Sequence, residues 1–336
     1  MMDRRDFLKS LGMGGAGAAL LGANLASADL NMSMEGRGKA ENTINILFDS
    51  WSSQVMFQRK PYRYPRGVQH PQVTRRRLNT ILGAMKSYGL STGMQWNVSF
   101  TNSRITQRSL AGVDVYVSLT RFINEPDPPR TGTGFSYKDF ELTALEDFVK
   151  QGGGILLMSD HGSIDDGTNW TQNDAALASV FGVTLKDIFV THLDPEEDPN
   201  CKGYMVMGIS TDLPGDISYL AYQVAGISAH DSCIMLSPAD FIALAMFPEG
   251  ATAHERNKQV SLESPYFSIL VPFGAGNVIV VGNSGMVGDY GSPDPAPGIV
   301  NLENNLMFFL NCVSFLAGLT CIPCPGYGPC AFVPTL

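Results

Sequence analysis

The chain has 336 residues, 44% apolar and 16% charged, the proportions of a globular protein with one large domain or two ordinary ones. Its formal charge is −9, which excludes duplex nucleic acid as the main partner, because phosphate backbones select positive surfaces. The charge is uneven. Trp51 to Val113 contains no Asp or Glu but carries Arg59, Lys60, Arg63, Arg66, Arg75, Arg76, Arg77, Lys86, Arg104 and Arg108, while "LDPEEDP" (193–199) is the densest acidic stretch. These surfaces are expected to pair within the fold or stay solvated, with an anion-binding face as the alternative.

Residues 3–28, "DRRDFLKSLGMGGAGAALLGANLASA", form an address. A charged opening leads into a short, glycine-diluted apolar run, and Ala26-Ser27-Ala28 is a small-x-small cleavage site. The order Arg4-Arg5-Asp6-Phe7-Leu8-Lys9 resembles the twin-arginine export signal, which implies the twin-arginine translocase as a partner during export and a periplasmic or extracellular destination. The apolar run is short of the roughly 20 residues a membrane span needs. No stable span is expected after cleavage, and "LMFFLNCVSFLAG" reads as a buried helix.

The expected organisation is a signal peptide over 1–28, a leader over 29–42, one α/β domain over 43–320 with a β-rich insertion at about 200–265, and a Cys/Pro/Gly-rich tail over 321–336. "INILFD" (44–49) is a buried strand ending in Asp49. Leu78, Ile81, Leu82 and Met85 recur at helical spacing, which predicts a helix over roughly 72–88 stopped by Gly89. "QWNVSF" (95–100) and "VDVYVSL" (113–119) are strands. In "SYKDFELTALEDFVKQGG", Ser136 and Asp139 suggest a capping box, and Phe140, Ala144, Leu145, Phe148 and Val149 form an apolar face. "GILLMS" is the next strand. Asn173 caps a short helix through Leu177, Val180 and Phe181 that Gly182 closes. Residues 203–247 hold short strand-like runs, and 266–283 read as a hairpin around Gly274-Ala275-Gly276-Asn277. A last helix, about 301–317, turns Leu302, Leu306, Phe309, Val313 and Leu316 inward. Apolar strands alternating with helices predict a flavodoxin-like three-layer α/β sandwich: a mostly parallel sheet, helices on both faces, a β-rich insertion and a late hairpin.

All six cysteines follow the leader: Cys201, Cys233, Cys312, Cys321, Cys324 and Cys330. Export to an oxidising compartment favours disulfides, above all in the tail "CIPCPGYGPC". Cys312 with the three tail cysteines could instead hold zinc or an iron–sulfur cluster, though the spacing fits no common metal pattern.

Three stretches, "VDVYVSLTR", "LTALEDFVKQGGGILLMSDHGS" and "GAGNVIVVGNSG…NLENNLMFFLNCVSFLAG", together resemble the class I glutamine amidotransferase-like superfamily in its secreted, ThuA-like branch. In amidotransferases the turn after the strand is an elbow that lifts a Cys nucleophile above the sheet. Here Asp160 stands at the Cys position, Gly162 keeps the second glycine, and no cysteine lies nearby, so Cys–His glutamine hydrolysis is not expected. ThuA-like relatives often carry His near this turn, which makes Asp160 and His161 the candidate catalytic pair.

Other strand ends should reach the same rim: Asp49 with Trp51, Arg121, and Asn283 with Ser284, the candidate ligand-binding residues. Asp49, Asp160, His161 and Asn283 could bind a divalent metal or a sugar, or Asp49 and Asp160 could simply cap local backbone. His192 with Asp194 and His230 with Asp231 are weaker pairs; His70 could meet an anion, and His254 reads as a surface residue. "GNSGM" misses a serine-hydrolase elbow, since Met286 stands where Gly is required. The sequence thus predicts an exported domain without the Cys nucleophile that binds a carbohydrate or small anionic ligand at the rim. The alternative is a hydrolase of sugars or polyols using Asp160 and His161, with or without a divalent metal.

Overall fold

The computed structural model describes residues 43–49, 78–101, 103–120, 136–160, 171–191, 205–210, 213, 218–221, 224–229, 235–255, 258–288, 300 and 304–319. In chain order the strands are β1 (Thr43–Phe48), β2 (Gln95–Phe100), β3 (Val115–Leu119), β4 (Gly154–Met158), β5 (Thr184–Leu185), β6 (Phe189–Thr191), β7 (Met205–Ile209), β8 (Gly226–Ala229), β9 (Met235–Leu236), β10 (Ile242–Met246), β11 (Thr252–Glu255), β12 (Lys258–Val260), β13 (Tyr266–Phe273) and β14 (Gly276–Val281). The helices are α1 (Asn79–Thr92), α2 (Gln107–Leu110), α3 (Asp139–Lys150), α4 (Thr171–Val180) and α5 (Asn305–Leu316).

Nine strands form one sheet in the order β2-β1-β3-β4-β14-β13-β10-β7-β8. The first five run parallel, and β13 and β7 run against the other strands of the sheet. The sheet is therefore mostly parallel, as expected, with the late hairpin built into it. Within the predicted β-rich region, β7, β8 and β10 extend this sheet, while β11 and β12 join β6, and β9 pairs with β5.

Alternation along the strands supplies two cores. Ile44, Ile46, Phe48, Val117, Leu119, Leu156, Met158, Ile279 and Val281 pack with α1 and α5. Leu47, Tyr116, Ile155, Leu157, Val278 and Val280 pack on the opposite face with α3 and α4. Both faces of the central strands are thus dry, which is why they read as continuous apolar runs. Each fully buried aliphatic side chain contributes about 1.5–3 kcal/mol relative to exposure. α5 is buried almost all round, so "LMFFLNCVSFLAG" is a core helix.

Three local expectations are corrected. Gly89 does not stop α1, which continues to Thr92 and is followed by Gly93 at φ 71°. Gly89 is instead the point of close approach between helix and strand: a Cβ there would lie 2.9 Å from Met94 O and 3.0 Å from the Trp96 ring. Phe140 is 52% exposed, because the buried stripe of α3 is centred nearer Glu141, Ala144, Leu145 and Val149. The N-cap of α3 is Lys138, not Ser136; its N–H donates to the Glu141 carboxylate at 3.0 Å.

Glu141 is fully buried. It also accepts from Arg104 Nη1 at 2.6 Å and from the Ile105 N–H at 3.1 Å. One cation of the acid-free stretch therefore pairs inside the fold. The hairpin turns through Gly274-Ala275, with Gly274 at φ 62° as primed two-residue turns require. Cys312 is a free, fully buried thiol whose pKa burial pushes well above the ordinary value. The other five cysteines lie outside the described residues.

Candidate functional site

The carboxyl ends of the five parallel strands form a polar rim. The backbone ladder continues one step past each strand: Asp49 N–H to Val117 O, Thr101 N–H to Phe48 O, Thr120 N–H to Met158 O, and Ser159 N–H to Val281 O, each 2.8 or 2.9 Å. The apolar strands thus deliver Asp49, Thr101, Thr120, Ser159 and Asp160 to one level, with Asn283 and Ser284 two and three residues past β14. From β1 the chain goes outward to β2, then returns beyond β1 to β3 and proceeds the other way through β4. The carboxyl ends of β1 and β3 are therefore the topological switch point, where open α/β sheets form a ligand crevice.

Two hydrogen-bonded clusters occupy the rim, on opposite faces of the sheet. The first centres on Asp49, which is 1% exposed. Its Oδ1 accepts from the Thr101 hydroxyl at 3.2 Å and its Oδ2 from the Tyr116 hydroxyl at 3.0 Å. The Tyr116 hydroxyl lies 3.3 Å from that of Tyr137, which in turn lies 2.7 Å from Ser118 Oγ. Tyr116 and Tyr137 belong to the core beneath α3 and α4. Asp49 is thus an acceptor already engaged by protein hydroxyls.

The second cluster centres on Asp160, which is 9% exposed. Its Oδ2 accepts from the Ser284 hydroxyl at 3.2 Å, which bridges the ends of β4 and β14. Asn283 Oδ1 accepts from the Met286 N–H at 2.9 Å and so ties the end of β14 to the 3-10 turn Gly285–Val287, whose N-cap is Ser284. Met286 O accepts from Asn305 Nδ2 at 3.2 Å, which ties this turn to the start of α5. Met158 and Met286 belong to the core beneath α1 and α5. Ser159, one residue before Asp160, points the other way and donates to Asp174 Oδ2 at 3.1 Å on the first turn of α4.

Of the predicted site residues, then, Asp160 and Ser284 are brought into contact, Asn283 is beside them and accepts from the Met286 N–H, and Asp49 is in the separate cluster. His161, Trp51 and Arg121 lie outside the described residues, as do His70, His192 and His230. His254 is half-buried on β11, with Nε2 3.1 Å from Thr252 Oγ1. Sequence reasoning missed Thr101, Tyr116, Ser118, Tyr137 and Asp174. Tyr116 was the legible one, since a Tyr inside a buried strand needs a partner for its hydroxyl. Among the described residues no group of three or more His, Cys, Asp or Glu side chains could hold a metal.

Residues 1–20 match the family model described as the twin-arginine translocation pathway signal sequence. No curated protein matches the chain. Among solved structures, the mmIFT52 N-terminal domain is similar with a TM-score of 0.52 at 15% identity, over 81% of this chain and 97% of that one. Cytoplasmic Protein STM1381 from Salmonella typhimurium LT2 has a TM-score of 0.46 at 14% identity, over 81% and 99%. A putative ThuA-like protein from Bacteroides uniformis has a TM-score of 0.39 at 12% identity, over 84% and 95%. With the mmIFT52 N-terminal domain the fold alone is shared. The protein is an α/β domain exported by the twin-arginine route to the periplasm or beyond. Among the described residues no helix is long and apolar enough to cross a membrane.

Proposed function

We propose that this exported domain belongs to the amidotransferase-like, ThuA-like group by descent but binds a ligand instead of hydrolysing glutamine. The ligand is a carbohydrate or small anion held at the carboxyl-end rim around Asp160 and Ser284. The observation that supports this reading is Asp160 itself: a carboxylate follows β4 at the rim, at the position the resemblance gives to an elbow nucleophile, and Ser284 donates to it. A carboxylate so placed is an acceptor for ligand hydroxyls. Glycoside hydrolysis would use two carboxylates flanking one bond, and Asp49 is engaged with Thr101 and Tyr116 in the other cluster. This weighs against a two-carboxylate glycosidase built on Asp49 and Asp160; the alternative is a sugar or polyol hydrolase using Asp160 and His161, with or without a divalent metal.

The test is calorimetric titration of the mature protein with mannobiose, cellobiose and citrate, together with glycosidase and esterase assays with and without added divalent metal. Asp160→Asn should keep the fold, because Asn Oδ1 still accepts from Ser284, and should weaken binding at least roughly ten-fold, the worth of a hydrogen bond to a charged group. Binding unchanged in Asp160→Asn would sink the rim assignment. Turnover abolished by that substitution would establish the hydrolase instead.

A further inference from the structure

The opposite, amino end of the sheet carries a second concavity. A cleft of about 620 Å³ opens among the turns that lead into β3, β4 and β14 and the end of α5. That volume falls within the roughly 300–1,000 Å³ of small-molecule sites. Its walls present the carboxylates of Asp114 and Asp147, the amides of Gln107, Gln151 and Asn277, and the ring of Phe148. The acid side chains are held in place: Asp114 Oδ2 accepts from the Asn45 N–H at 2.8 Å, and Asp147 Oδ2 from Gln107 Nε2 at 3.1 Å.

Charge selects the ligand class. Among the described residues no Lys, Arg or His lines the cleft. α3 and α5, each 12 residues long, both end on it, through Gln151 and Ala317 at their C-caps. Helix C-termini carry partial negative charge, so two of them add to the two carboxylates. A phosphate or carboxylate ligand would be repelled. A divalent metal would want a third acidic or imidazole ligand, and no such group occurs among the described residues. Acceptors spread over a cleft this wide, with an aromatic wall, suit an elongated ligand with separated ammonium groups.

We propose that the amino-end cleft is a binding site for a small organic polycation of the polyamine class, separate from the rim site. The test titrates the mature protein with spermidine at low ionic strength and maps the contact by hydrogen exchange. Spermidine should slow exchange at 107–114 and 147–153, and its affinity should fall as salt rises. Asp147→Asn should weaken it roughly ten-fold, and Gln151→Lys, which places a cation at the cleft, should abolish it. Glu146→Gln, which alters a carboxylate of the same helix outside the cleft, should leave it unchanged. Equal loss in Glu146→Gln would reveal nonspecific attraction to an acidic protein and overturn the proposal. So would the absence of spermidine binding, or protection of the same segments by uncharged maltotriose in its place. Asp160→Asn should not affect spermidine, so the rim reading can fail without this one.

Discussion

Replacing Arg104 by Met tests how the rim is braced. The guanidinium meets Glu141 at 2.6 Å and also donates to Ser136 O at 3.1 Å; the side chains are 26% and 0% exposed. Arg104 follows β2, and Ser136–Lys138 lead into α3, so the pair clamps the backbone on both sides of Tyr137, whose hydroxyl enters the Asp49 cluster. Breaking a fully buried pair costs about 3–5 kcal/mol, because the remaining charge is stranded. Here Glu141 keeps two backbone donors, from Ile105 and Lys138, and Arg104 is partly solvated. The cost should therefore fall to about 2–3 kcal/mol. In a domain of this size that lowers the melting temperature by roughly 3–5 °C. Urea and thermal unfolding of the mature protein measure it, and hydrogen exchange around 136–138 should rise. The double variant Arg104→Met with Glu141→Leu should regain most of the loss, since no charge is then stranded. A cost below about 0.5 kcal/mol, the range of an exposed pair, would refute the clamp.

Gly276→Ala should cost about 3 kcal/mol, at the upper end of overpacking, because its Cβ would overlap the carbonyl oxygens of Gly153 and Val149; the urea midpoint reports it. Cys312 should resist iodoacetamide at pH 8.5 until denaturant is added. Its raised native pKa also sets a pH dependence. As pH rises past the ordinary thiol value, the unfolded state loses its proton first, so stability present below that value declines above it, by at most about 1.4 kcal/mol per pH unit. Comparison with Cys312→Ala isolates this slope, and identical profiles would refute it. Replacing Arg4 and Arg5 together by Lys should leave the precursor in the cytoplasm; normal periplasmic amounts would contradict the export route.

The central architecture was legible because its physics is local. β1 to β4 and the hairpin announce themselves as apolar runs, since strands buried on both faces need no polar alternation. Phe140 and Glu141 show where that reading stops. A helix wheel admits either residue at the edge of the buried stripe, and the choice depends on Arg104 and Ile105, over 30 positions away. The same holds at the rim. Asp49 and Asp160 were recognised as strand-end acids, but no local signal says that one meets Tyr116 and the other Ser284. That division follows from strand parity: Leu47 and Met158 belong to different cores, and each acid is two residues further on. The joining of β7, β8 and β10 to the main sheet was equally hidden, because strand partnership is non-local.

The two ends of this sheet differ in how the fold disposes of its helix dipoles, and the difference bears on both ligand proposals. α3 and α4 begin near the rim, where their positive ends would favour an anion. That charge is already met from within the chain: Asp139 and Glu141 lie in the first turn of α3, and Asp174 in that of α4. Asp49 and Asp160 add two further carboxylates at the same level. Among the described residues the rim is thus acceptor-rich, which favours the hydroxyl-rich ligand over the anionic one in the titration with mannobiose, cellobiose and citrate. At the amino end the negative ends of α3 and α5 meet two more carboxylates and, among the described residues, no lining cation. Lys150, in the last turn of α3, is turned away to Glu146 at 2.7 Å, and its Nζ lies 5.9 Å from the centre of the Phe273 ring. Among the described residues, then, the amino end gathers negative charge that no lining cation offsets, which is why a cation is proposed there.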